Sequence, residues 1–160
     1  DKFRPGHFDG VTTVVESLLR TTHPDHVFFG EKDFQQLKII QSLCQRLKLN
    51  IEIHACPSVR LRNGISLSSR FNNFSENDRK VFDKCAYQIN LLITKLKNDI
   101  DAVSLSDFKS ILKQRGVKKI DYTEIRDEEN LSFSNTCNKS RLFIAMYVGD
   151  VRVIDNFILY

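Results

Sequence analysis

The feature that most constrains this chain is a rhythm in its first third, where helix-period and strand-period segments alternate twice between residues 11 and 55. Val11, Val14, Val15, Leu18 and Leu19 fall at i, i+3, i+4, i+7 and i+8, one stripe of an amphipathic helix. Asp9 is placed to cap its start, and Pro24 forces an end by His23, because proline pushes its predecessor out of the helical region. HVFFG, residues 26–30, reads as a short buried strand closed by a glycine. A second helix is expected from about residue 33 to 48, with Leu37, Ile40, Cys44 and Leu47 facing inward. IEIHA, residues 51–55, alternates as a strand does, with Ile51 and Ile53 on one side and Glu52 and His54 on the other. Helix, strand, helix, strand at this pace predicts βαβ units around a parallel sheet, an α/β fold.

After residue 55 the grammar changes. Residues 56–73 carry no period and hold Pro57, Gly64 and several serines and arginines. A structureless stretch of that length inside a compact protein is commonly functional. Ser75 followed by Asp78 then resembles a capping box, opening a helix to about residue 97 with Phe82, Cys85, Ile89, Leu92, Ile93 and Leu96 as its stripe. A shorter helix is expected over residues 106–115, ended by Gly116. Strands follow at residues 118–125 and 141–148, and Gly149-Asp150 offers a tight turn into residues 151–158, an antiparallel hairpin. Helices followed by strands indicate a separate α+β unit from about residue 74.

Composition narrows the function classes. At 41% hydrophobic and 28% charged residues the mixture is that of a soluble globular protein, long enough to bury a core. The longest apolar run, residues 142–148, is far short of the roughly 20 residues that span a membrane, so no membrane partner is expected. The charge is +4, scattered without blocks, which suits an anionic ligand and does not point to nucleic acid. Four cysteines lie far apart with no C-x-x-C pair and read as reduced thiols of a cytoplasmic protein. The chain opens on Asp1, without methionine or a signal-like stretch, and is expected to be a piece of something longer.

Two segments carry candidate chemistry. GEKDFQQ, residues 30–36, lies where a strand opens into a helix, and open parallel sheets bind ligands beyond the carboxyl ends of their strands. There Gly30 lets a ligand approach the backbone, Lys32 can place an ammonium on a phosphate, and Asp33 can accept from ribose hydroxyls. Gln36, three residues on, is expected on the same helix face as Asp33. Without a ligand, the same residues describe a solvated helix start whose Glu31 and Asp33 favour the dipole. RLRNGISLSSR, residues 60–70, offers Ser68, Ser69 and Arg70 to a polyphosphate, with Asn63-Gly64 as a turn on which the loop could close like a lid. It can also be read as a polar surface loop. His7, in RPGHF, is a ligand contact or a structural residue before a helix. His23, His26 and His54 have no partner at metal-ligand or triad spacing, and no protein metal site is expected. There is no nucleophile elbow, G-x-G-x-x-G or Walker lysine. The twelve phenylalanines read as core.

RPGHFDGVTTVV, FFGEKDFQQL, VRLRNGISLSSR and RLFIAMYVGDVRVIDN together resemble the pantothenate synthetase (pantoate–β-alanine ligase) family, in order and spacing over nearly the whole chain. The resemblance implies that residues 1–73 are the second half of a Rossmann-like nucleotidyltransferase domain binding ATP and pantoate. Residues 74–160 would be a small α+β C-terminal domain acting as a lid, and the enzyme a homodimer. It implies activation of pantoate by Mg2+ and ATP as pantoyl adenylate, then displacement of AMP by the amine of β-alanine. Gly30, Glu31, Lys32 and Asp33 match the family's ATP-contacting G-E-K-D, and Gln36 its pantoate-binding glutamine. Val59 matches a residue whose backbone contacts adenine, and Leu67, Ser68, Ser69 and Arg70 its mobile phosphate loop. Lys32 and Arg70 would stabilise phosphate charge, with no other catalytic residue in this chain.

The family's H-x-G-H segment and an earlier substrate-binding glutamine have no counterpart here, so the chain is expected to be the C-terminal portion of such an enzyme, inactive alone. Asp1 stands where the family usually has glycine, Phe71 replaces the asparagine that commonly follows S-S-R, and residues 127–140 diverge as a surface excursion. The alternatives are another adenylating or nucleotidyltransferase enzyme on the same scaffold, or a non-catalytic truncated module.

Overall fold

The computed structural model describes residues 3–101 and 103–160; Asp1, with its departure from the family pattern, lies outside the described residues. The chain divides into two compact units, Asp1–Ser58 and Val59–Tyr160.

In the first unit, helix α1 (His7–Thr22) precedes strand β1 (His26–Gly30), and helix α2 (Phe34–Arg46) precedes strand β2 (Glu52–Cys56). The strands pair in parallel, His26 opposite Glu52 and Phe28 opposite His54, as the α/β rhythm predicts. Leu19 of α1 and Ile40, Leu43 and Cys44 of α2 form a small core, against which Val27, Phe29, Ile51 and Ile53 pack. Helix α1 starts three residues earlier than a cap at Asp9 suggests. Gly6, at φ 74°, precedes it without a side-chain cap, so Asp9 sits in the first turn and His7 is the first helical residue. The helix stops where Pro24 requires, with His23 in the left-handed region donating its N–H to the Leu19 carbonyl. Strand β1 is not fully buried as expected. Its residues alternate between exposed and half-buried because the two helices cover one face only, leaving Phe28 69% exposed on the other.

The second unit holds helix α3 (Glu76–Asn98), helix α4 (Leu105–Gln114) and strands β3 (Lys119–Asp127), β4 (Ser140–Val148) and β5 (Val151–Ile158). The sheet is antiparallel in the order β3-β4-β5, with the predicted hairpin at Gly149-Asp150. Gly149 has φ 57°, and a Cβ there would meet the Asp78 carboxylate at 2.6 Å, so both conformation and space call for glycine. Phe82, Cys85, Ile89, Leu92 and Leu96 of α3 and Phe108 and Leu112 of α4 pack with Leu142, Ile144, Met146 and Val148 of β4. Burial pushes the Cys85 thiol up to about 11, with Arg115 opposing, so it stays protonated and inert at neutral pH. At β3, burial would raise the Asp121 carboxyl, but Arg152 at 2.8 Å and Lys119 at 2.9 Å outweigh it and hold it below the ordinary value. Residues 127–140, expected as a surface excursion, are tied back by Arg126 over the Phe133 ring at 4.1 Å and by the Tyr160 hydroxyl donating to Glu128 at 2.8 Å.

Of the segment expected to be structureless, Cys56 ends β2, and the part from Val59 onward belongs to this second unit and is ordered. Arg60 and Ser66 bridge across a turn, Leu61 donates its N–H to the Ile65 carbonyl at 2.8 Å, and a short 3-10 helix follows at Ser69–Asn73. Ile65, 1% exposed, and Phe71 sit in the same core as α3. Apolar burial, invisible to a periodicity test on so short a stretch, fixes it.

Candidate functional site

The two candidate segments fall in different units. In the first unit, β1 ends at Gly30, and Glu31–Asp33 make one turn of 3-10 helix before α2 begins at Phe34. Phe34 and Leu37, in the first turn of α2, are buried. Gly30 has extended backbone, φ −71° and ψ 134°, that any residue could adopt, and nothing lies within 4 Å of an added Cβ. What the glycine supplies is open backbone where a side chain would otherwise stand. Glu31 and Lys32 are half-buried and Asp33 is exposed. Asp33 is the cap position of α2, with φ −95° and ψ 54°. Gln36 is thus the third residue of α2, three positions after the cap. Gln36 is half-buried in the first turn of α2.

In the second unit, Val59 is 72% exposed, and its carbonyl accepts the N–H of Leu67 at 2.8 Å. That leaves the second lone pair of the carbonyl for another donor. Between them, Gly64 turns at φ 82°. The Asn63-Gly64 turn lies against α3. Asn90 of α3 donates to the Asn63 carbonyl at 2.8 Å, Asn63 donates to Asp83 at 3.1 Å, and a Cβ on Gly64 would meet Asn90 at 2.8 Å. The other side is anchored to β5. Asp155, 5% exposed, accepts from the Ser66 N–H at 2.7 Å and the Ser66 hydroxyl at 2.6 Å, and Arg60 donates to it at 3.2 Å. Arg60 also donates to the Asn156 carbonyl at 2.8 Å, with its guanidinium 4.7 Å from the Phe157 ring centroid.

This anchored base presents Leu67, Ser68, Ser69 and Arg70. The Ser68 hydroxyl accepts the Arg70 N–H at 3.3 Å and starts the 3-10 helix. Ser69 and Arg70 are exposed, and Arg70 donates to the Arg152 carbonyl at 3.3 Å. Phe71, the departure from the family pattern, is buried with ring centroids 4.7 Å from Phe82 and 5.3 Å from Phe74. It pulls the chain into the core directly after Arg70.

Sequence reasoning missed one group. His26 and His54, assigned no partner, lie 3.0 Å apart between Nδ1 and Nε2, beside Glu52. Their spacing in sequence says nothing, because the parallel register of β1 and β2 brings them together. The signal was present only as alternation, which puts Glu52 and His54 on one side of their strand.

A profile of the family described as pantoate-beta-alanine ligase matches residues 1–158. Among curated relatives, the pantothenate synthetase of Chelativorans sp. is 40% identical over 156 residues, covering 96% of this chain and 55% of its own length. That of Caldicellulosiruptor bescii is 38% identical over 162 residues, covering 99% and 57%. The chain thus spans a little over half the length of the curated relatives it matches. The crystal structure of pantoate-beta-alanine ligase from Francisella tularensis, complexed with beta-gamma ATP and beta-alanine, superposes with a TM-score of 0.79 at 33% identity, covering 99% of this chain and 52% of that one. Pantothenate synthetase from Thermus thermophilus gives 0.85 at 30% identity, covering 99% and 58%.

Proposed function

This chain belongs to the pantoate–β-alanine ligase family, and from that premise we propose that its residues form part of an enzyme condensing pantoate with β-alanine, driven by ATP. The observation that carries the reading is the open backbone of Gly30 at the carboxyl end of β1, followed directly by Glu31, Lys32 and Asp33 in the family's order. A pantoate carboxylate oxygen attacks the α-phosphorus of ATP and pyrophosphate leaves. The amine of β-alanine then attacks the acyl carbon of the adenylate and AMP leaves. Carboxylate and phosphates are all anions, so the first step requires cations that suppress their repulsion and follow the charge onto pyrophosphate. Lys32 and Arg70 take that part, with Gly30, Glu31, Asp33, Val59, Leu67, Ser68 and Ser69 as further nucleotide contacts. Gln36 can both donate to a carboxylate and accept from a hydroxyl, which suits pantoate. Aligning the reactants in a site closed to water supplies much of the remaining rate.

The resemblance also implies Mg2+. Among the described residues the three-membered metal-capable group includes two imidazoles, the wrong donors for an ion that prefers oxygen. No step is routed through Mg2+ on residues of this chain; Mg2+ commonly rides on the substrate phosphates themselves. A homodimer in the cytoplasm completes the proposal, and residues 1–160 alone are expected to form no pantothenate.

The test is pyrophosphate exchange in the family-length enzyme carrying these residues, with pantoate and with other small acids. Lys32→Ala is expected to slow exchange about a hundredfold, the effect of losing one contact to developing charge. Gln36→Ala is expected to raise the KM for pantoate more than that for ATP. Exchange driven by a different acid, or unaffected by Lys32→Ala, overturns the reading.

A further inference from the structure

The face of the β1–β2 pair turned away from α1 and α2 carries His26, Phe28, Glu52 and His54. His26 Nδ1 lies 3.0 Å from His54 Nε2 and 3.3 Å from Glu52 Oε2, and His54 Nε2 lies 3.5 Å from Glu52 Oε1. Two imidazoles and a carboxylate therefore converge on one point, one donor from each residue within 4.8 Å of the others.

With zinc–nitrogen and zinc–oxygen bonds of about 2.0–2.1 Å, the edge of a zinc tetrahedron is about 3.3–3.4 Å. The His26–His54 and His26–Glu52 separations are close to that edge, and His54 meets the other oxygen of Glu52, so one oxygen serves both imidazoles once the carboxylate turns. We propose that His26, Glu52 and His54 form a binding site for a divalent transition-metal ion, zinc above all. The ion takes one donor from each residue and a water in the fourth position. Imidazole nitrogens with a single carboxylate favour zinc and its neighbours over magnesium or calcium. The site is distinct from the nucleotide-binding segments: it lies at the amino ends of the strands, whereas Gly30 closes the other end of β1.

The fold prepares this arrangement. Parallel pairing sets His26 opposite Glu52 and Phe28 opposite His54, so the two histidines are diagonal neighbours on one face. The ring of Phe28 stacks on that of His54, centroids 4.7 Å apart and planes 16° from parallel, which restrains the imidazole. Restraint of a ligating ring lowers what is lost on binding. In this chain the side chains are 55%, 64% and 34% exposed for His26, Glu52 and His54. Bound there, the ion clamps β1 to β2 across their first residues.

Titrating the purified, chelator-treated chain with Zn2+ by calorimetry tests this. One ion per chain is expected, with a dissociation constant in the micromolar range or tighter and a higher melting temperature on binding. His26→Ala and His54→Ala should each weaken binding at least tenfold and abolish the thermal shift. Because these side chains are exposed, both variants should keep the parent's circular dichroism and metal-free melting temperature. If either does not, Glu52→Gln, which preserves size, takes its place with the same expected loss. Co2+ should give the absorption of a tetrahedral nitrogen and oxygen site without a thiolate charge-transfer band. Failure to bind Zn2+ saturably would leave the trio as a hydrogen-bonded cluster only. That outcome, unchanged affinity in His26→Ala and His54→Ala, or a thiolate band implicating Cys56 would each overturn the proposal.

Discussion

Asp155 is the residue on which the phosphate-loop segment depends most. Its buried carboxylate accepts two hydrogen bonds from Ser66, one from the Asn156 N–H at 2.8 Å, and the Arg60 guanidinium. Asp155→Ala would strand the buried donors of Ser66 and leave Arg60 without its charge partner. Orphaning a buried group costs about 1–3 kcal/mol, and loss of a buried ion's partner somewhat more, so a loss of about 3 kcal/mol is expected. A urea midpoint within error of the parent would show that the loop is held elsewhere. Little of this was legible beforehand. Within residues 60–70 the sequence singled out Ser68, Ser69 and Arg70 as candidate ligand contacts, and nothing in it marked their neighbours as anchors: Ser66 is fully buried and Arg60 is engaged with β5. Ser69 and Arg70 stay exposed, in keeping with the sequence reading. A one-dimensional pattern marks a residue as polar but does not say which polar partner, 89 residues away, will claim it.

At the scale of elements the local signals were strong where they were complete. Ser75 and Asp78 form a full capping box, the Ser75 hydroxyl accepting the Asp78 N–H and the Asp78 carboxylate accepting the Ser75 N–H, and α3 begins where that motif puts it. Ser75→Ala is expected to destabilise the protein by about 1 kcal/mol, read as a lower melting temperature. Restoring the parent value with Ser75→Asp, another good cap, would attribute the loss to the cap rather than to packing. Gly116 likewise marks the end of α4, at φ 104° with Val117 donating back to the Leu112 carbonyl at 3.2 Å. The starts of α1 and α2 were less legible. Asp9 and Asp33 are both good cap residues, but neither caps through its side chain, because Gly6 and the 3-10 turn set the chain direction first.

For the whole molecule, the division into units follows packing rather than composition. The sequence reading groups residues 59–73 with the first half, yet Ile65 and Phe71 belong to the core built on α3 and β4. Residues 59–160 produced alone are therefore expected to fold cooperatively. Residues 74–160, lacking those two side chains and the Arg60 anchor, should melt at least 10 °C lower. Each lost side chain removes about 1.5–3 kcal/mol of burial, and each kcal/mol shifts a domain of this size by about 4–8 °C. Equal melting temperatures for the two pieces would place the boundary after residue 73 instead.

By itself the sequence determined the alternation of α1, β1, α2 and β2, the capped helix α3, the β4–β5 hairpin and the family whose G-E-K-D and S-S-R segments it carries. All of these rest on interactions between residues a few positions apart, or on motifs that keep their order along the chain. Only the tertiary structure decided that Asp155 holds the loop before Arg70, that Phe71 is core, and that His26 meets His54 across 28 residues. Strand register and core packing bring such partners together, and these are set by the three-dimensional burial of apolar faces, which no local pattern encodes.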